Sequence, residues 1–158
     1  MKTLKYLFLI LAICAITGVV ASAQTTKKPK YDDKLARKLG ADERGMKMYV
    51  LCILKTGPKD GEVVGDARKA IFAGHFANIG KLAEEGKLAV AGPFEQNAKG
   101  YRGLYIFNVT TIEEAEKLVV LDPAVKAGIF APDLTLWYGS AAMMVVSDTH
   151  KKIQKPTK

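Results

Sequence analysis

Groups that move protons near neutral pH are scarce in these 158 residues: two histidines, His75 and His150, and two cysteines, Cys14 and Cys52. The histidines are far apart, and neither belongs to a His/Cys/carboxylate cluster, so structural zinc and any other metal site are not expected. The 14 glycines form neither a phosphate loop nor a dinucleotide fingerprint. No nucleophile-elbow motif supports a Ser–His–Asp triad, and nothing calls for an organic cofactor. Long apolar runs are also lacking, with one exception near the start. The net charge of +8 is scattered into Lys27-Lys28-Pro29-Lys30 and Lys151-Lys152. No basic stripe is interleaved with aromatics, which argues against nucleic acid as a partner.

The exception is residues 7–20. Lys2 and Lys5 precede it and Ala21-Ser22-Ala23 follows it, the three-part pattern of a cleaved leader. The expected mature chain starts at Gln24 and is exported, either periplasmic or secreted, with no membrane span left once residues 1–23 are removed. Cys14 lies inside the apolar run behind the bulky Ile13, so lipid anchoring there is a minor alternative. An exported chain with only Cys52 left forms no internal disulfide. Cys52 lies in an apolar stretch and reads as a small buried hydrophobe.

Residues 24–45 read as a linker with a short helix, started by Asp32 or Asp33 and ended by Gly40. Residues 46–141 read as the domain, and 142–158 as a basic, solvated tail. The continuous apolar run at 47–55 suits a central strand buried on both faces. Residues 66–85 follow as a helix whose Phe72, Phe76, Ile79 and Ala83 recur at helical spacing. Gly74 and Gly80 inside it each cost about 1 kcal/mol relative to Ala, which suggests close backbone packing. Strands are expected at 87–91, 102–109 and 134–138. Thr111-Ile112-Glu113-Glu114 looks like a capping box opening a second helix. The order βαββαβ is the ferredoxin-like α+β pattern. With both helices on one sheet face, the other face needs a cover, and a second copy of the chain would supply it. A homodimer is therefore expected, with a cleft between sheet and helices in each subunit.

His75 on the first helix, the turn Ala91-Gly92-Pro93, the helix carrying Glu113-Glu114-Ala115, and Asp122-Pro123 together resemble the YCII-related (YciI-like) domain. The stretch from Asp122 to Gly128, followed by Trp137-Tyr138-Gly139, looks like an exported branch of that family. The resemblance covers roughly residues 46–141. It implies a ferredoxin-like fold in a dimeric α/β-barrel arrangement and an active site built from His75 and Asp122. One enzyme with such a domain removes chloride from a chlorinated hydroxylated aromatic ring. This chain departs from many members at Ala124, where they carry an aromatic after Asp-Pro.

Each candidate has two readings. His75 is a general acid/base, or a structural histidine bonded to a backbone carbonyl. Asp122 orients the imidazole, or only caps a helix that starts at Pro123. Arg102 holds a ligand's carboxylate or phenolate with its planar fork, or is a solvated strand-end charge. Tyr49, Tyr105, Trp137 and Tyr138 line an aromatic pocket, or belong to the core or a dimer interface; Tyr49 and Trp137 are the ones named as substrate-binding. The expectation is a small exported enzyme of lyase, isomerase or dehalogenase type using a His–Asp pair on a small molecule. The alternative is a non-catalytic ligand-binding or structural protein of the same dimeric fold.

Overall fold

The computed structural model describes residues 29–155. The leader expected at residues 1–23, with Cys14, lies outside them. Of the two units into which the chain divides, Met1–Tyr31 and Asp32–Lys158, the second carries every element below.

Four antiparallel strands form one sheet in the order β2-β3-β1-β4. They are β1 (Met46–Thr56), β2 (Leu88–Pro93), β3 (Tyr101–Phe107) and β4 (Phe130–Ser140). With α2 (Gly65–Glu84) between β1 and β2, and α3 (Ile112–Val119) and α4 (Pro123–Lys126) between β3 and β4, this is the ferredoxin-like α+β arrangement. A short helix α1 (Asp33–Leu39) precedes β1, and α5 (Val146–Ile153) follows β4 through a 3-10 turn at Ala141–Val145.

Strand alternation sorts β1 between two layers. Val50, Cys52 and Leu54 point to the helices and join Tyr105, Phe107, Leu82 and Ile129 in the larger core. Tyr49 and Leu51 point the other way, into a smaller cluster with Ala89 and Ile106. The starts of α1 and α3 carry side-chain caps. Thr111 Oγ1 accepts from Glu114 N–H at 3.2 Å, and Asp32 Oδ1 accepts from Leu35 N–H at 2.9 Å; both satisfy orphan amides of a first turn.

The apolar stripe on α2 serves core and cleft together: Phe72 and Ile79 pack against the larger core and, with Phe76, line a cleft. His75 and Leu82 are the buried residues of α2, and Phe76 is 64% exposed. Two expectations are corrected. The last strand runs from Phe130, not Leu134. Pro132 is tolerated in it because β4 is an edge strand, where a missing N–H breaks no ladder bond. Residues 142–158 are not simply a solvated tail, since residues 141–153 are helical. Met143 and Met144 pack on the Tyr49–Ala89–Ile106 cluster. Tyr49 is fully buried, with its hydroxyl donating to Ser140 O at 3.1 Å, and α1 packs against the turn. The lysines drew attention away from an apolar Met-Met-Val-Val segment. The chain thus roofs part of its own second sheet face.

Candidate active site

α2 carries His75 on its core-facing side, 6% exposed. Asp122 caps α4, with Pro123 at the first helical position and Asp122 Oδ1 accepting from Ala124 N–H at 2.9 Å. β3 directs Tyr105 toward the helices. A Cβ on Gly74 would lie 3.0 Å from Pro123 Cγ, so the missing side chain lets α2 approach α4. His75 Nδ1 then sits 2.8 Å from Asp122 Oδ2 and 3.0 Å from Oδ1. Tyr105 OH donates to Asp122 Oδ2 at 2.7 Å and lies 3.3 Å from His75 Nδ1. Asp122, with no exposed surface, is therefore both a cap and the imidazole's partner.

Burial alone would raise the Asp122 carboxyl. The hydrogen bonds from His75 and Tyr105, the imidazolium charge and the Ala124 amide outweigh it and hold Asp122 below the usual carboxylate range. Burial, then the neighbouring Asp122 charge, push the Tyr105 phenol far above its ordinary value, so Tyr105 stays a donor. An ionised Asp122 binds the Nδ1–H tautomer of a neutral His75 and leaves Nε2 with the lone pair. No hydrogen bond among the described residues uses Nε2.

His75 lines a cleft of about 440 Å³, within the range of small-molecule sites. Its walls are mostly apolar. Phe72 and Phe130 meet the imidazole edge-on, with ring centroids 5.7 Å and 5.4 Å away, and Phe76 and Phe94 stand at the cleft partly exposed. Arg102 also lines it. Its Nη1 donates to Asp60 Oδ2 at 2.8 Å, and its guanidinium lies over the Phe130 ring, 5.6 Å from the centroid. Asp60 Oδ1 accepts from Arg68 Nη2 at 2.7 Å. Among the described residues no group of His, Cys, Asp and Glu is placed to hold a metal ion.

The structure thus brings His75 and Arg102 to one cleft and places Asp122 behind His75, fully buried. It does not bring Tyr49 and Trp137 there. They are paired neighbours on β1 and β4, with ring centroids 6.0 Å apart, on the sheet face turned away from the helices. The two-residue period of the strands sends Tyr49 and Tyr105 to opposite faces. Sequence reasoning also missed the hydroxyl of Tyr105 as a partner of Asp122, and Asp60 altogether. Tyr105 offered only its place in an apolar strand; that it faces the helices follows from its register opposite Cys52 across the β1–β3 ladder, which the sequence does not display. Asp60, in a polar loop, had none.

A family model described as the YCII-related domain matches residues 48–133. No curated protein matches the chain in sequence. Among solved structures, one that is similar is the 5-chloro-2-hydroxyhydroquinone dehydrochlorinase of Burkholderia phenoliruptrix AC1100 in complex with 2,5-dihydroxybenzoquinone. It is 21% identical, with a TM-score of 0.38, and the match covers 58% of this chain and 91% of that one.

Proposed function

The chain belongs to the YCII-related domain family, and on that premise we propose that it is a small-molecule enzyme in which His75 moves protons and Asp122 holds it in place. The observation that carries this reading is the buried contact of 2.8 Å between His75 Nδ1 and Asp122 Oδ2, on the wall of an apolar cleft. Asp122 fixes the tautomer. Nε2 takes a proton from a carbon or hydroxyl of the substrate, and the imidazolium, stabilised by the carboxylate, returns it at another position. That proton shuttle serves a lyase, an isomerase or an elimination of halide, on a hydroxylated or carbonyl-bearing ring small enough for the cleft. Phe72 and Phe130, packed edge-on against the imidazole, lower the local polarity and so strengthen the electrostatics of the pair.

The test is solvent-deuterium incorporation or product formation by the mature protein with cyclic ketones and dihydroxybenzenes, followed by NMR. His75→Ala should bring any rate found to background and Asp122→Asn should lower it by about a hundredfold or more, the scale of a lost general base. Undiminished turnover by His75→Ala removes the proposal.

Export and self-association belong to the same proposal. The leader pattern at residues 1–23 supports export, and a mature mass that begins at Gln24 would establish it. The sheet face away from the helices supports a homodimer where the Met143–Met144 cover ends, around Ile53. Light scattering that gives the mass of one copy would remove that part.

A further inference from the structure

Among the described residues Arg102 is the one lysine or arginine lining the cleft, and the two residues behind it decide what charge it presents. Asp60 is shared. Its Oδ1 takes Arg68 Nη2 at 2.7 Å and its Oδ2 takes Arg102 Nη1 at 2.8 Å. Two guanidiniums on one carboxylate leave one positive charge over. The two arginines are not equivalent. Arg68 is spent on the protein: besides Asp60 Oδ1, its Nη1 donates to Asp60 O at 2.7 Å and Val63 O at 3.1 Å, and it does not line the cleft. Arg102 uses Nη1 alone; no hydrogen bond among the described residues engages its Nε or Nη2. That edge of the guanidinium is the one that binds a carboxylate with two parallel N–H donors. The side chains of Arg102, Arg68 and Asp60 are 35%, 28% and 22% exposed, so bulk water screens the surplus charge only in part.

We propose that Arg68, Asp60 and Arg102 form a monoanion-recognition site at the cleft, and that the molecule taken there is an aromatic ring bearing one carboxylate or phenolate. The anionic group sits on the free edge of Arg102, and the ring lies among Phe72, Phe76, Phe94 and Phe130. The phenylalanine packing of Arg102 and Arg68, with cations 5.6 Å from the Phe130 centroid and 5.1 Å from the Phe72 centroid, holds both guanidiniums in place before a ligand arrives, which lowers the ordering cost of binding. One surplus charge matches one anionic group; a dianion would leave a charge unpaired at an apolar wall, and a neutral ring would leave the guanidinium edge without an acceptor. The assignment names the ligand class for the proposed proton-transfer site and in that sense rests on that reading, although binding itself does not require His75 to act.

The experiment is calorimetric titration of the mature protein with benzoate, with benzamide as a neutral molecule of the same shape, and with acetate as an anion without the ring. Benzoate should bind about tenfold or more tightly than benzamide, the low end of what a charge-assisted hydrogen bond contributes, and acetate should not bind measurably. Arg102→Met should reduce benzoate to the benzamide level. Arg68→Gln should weaken benzoate as well, although Arg68 never meets the ligand, because Asp60 then neutralises Arg102 alone; benzamide binding should be unchanged and reports that the cleft is intact. Equal binding of benzoate and benzamide, or benzoate binding that survives Arg102→Met, overturns the assignment. His75→Ala separates the two ideas: benzoate binding retained with turnover lost upholds both, and turnover undiminished with benzoate still bound removes the proton-transfer reading and leaves the anion site standing.

Discussion

Gly74 and Pro123 meet at the crossing of α2 and α4, where an added Cβ would lie 3.0 Å from Pro123 Cγ. That separation is tight for any real side chain, so the helix carries a glycine where its neighbour passes, one residue before His75 and one after Asp122. Gly80, two turns on, faces open space. Gly80→Ala should therefore stabilise the protein by about 1 kcal/mol through helix propensity alone. Gly74→Ala should forfeit that gain and push α4 away. Urea unfolding of both variants checks the contrast, and equal stabilisation would mean that Pro123 yields freely.

Acid should unfold this protein partly through Asp122. Its folded value is held below the ordinary one, so the native state loses that proton at lower pH than the unfolded chain. The stabilisation is complete above about pH 4, the unfolded carboxyl value, and is lost as pH falls through the lower folded value. Asp60, lowered chiefly by the hydrogen bond from Arg68, acts in the same direction. Asp122→Asn should cost roughly 3 kcal/mol near neutrality and flatten the acid limb of stability against pH without abolishing it. An unchanged limb in denaturation curves between pH 2 and pH 5 would contradict this.

Tyr105→Phe removes the hydroxyl that donates to Asp122 at 2.7 Å while keeping the ring. The loss should be about 1.5–3 kcal/mol, the range for a hydrogen bond to a charged group, measured by chemical denaturation. The parent Tyr105 should also stay un-ionised in the folded protein through the ordinary tyrosine range, since burial and Asp122 both raise it. Ultraviolet titration comparing parent and variant reads this directly.

Cys52 is fully buried in the larger core, and burial pushes its thiol up to about 12. In a chain beginning at Gln24, a thiol-labelling reagent should leave the folded protein untouched and modify one thiol once urea unfolds it. Rapid labelling of the native protein would show that β1 opens locally.

Truncation after Ser140 should expose Tyr49, Ala89 and Ile106, which Met143 and Met144 help to cover. The double change Met143→Ala, Met144→Ala is milder; since both are half-buried, about 1–2 kcal/mol each is expected, below the cost of emptying a full core site. Thermal unfolding and dye binding to exposed apolar surface measure both variants.

Much of this was legible along the chain because the signals were local. The run at 47–55 could only be an inner strand, and Asp122-Pro123 could only begin a helical turn, so the order of elements followed. His75 and Asp122 stood out because so few alternatives exist. What stayed hidden depended on geometry across elements. The stripe of α2 was visible, but its division between core and cleft was not, because a cleft wall and a core face are both apolar. Asp60 lay in a loop whose path is set by Arg68 and Arg102, partners 8 and 42 residues away. That one sheet face needs a cover was legible; that Met143 and Met144 supply part of it was not, because no window of sequence displays which segment folds back onto the sheet.

His75, Tyr105 and Asp122 come from a helix, a strand and a helical turn, and each is anchored through the other two. No fragment of the chain assembles that trio, and loosening any one layer scatters it. The setting of the imidazole therefore exists only while helix, strand and turn are all docked, so a probe of that nitrogen would report tertiary assembly rather than secondary structure.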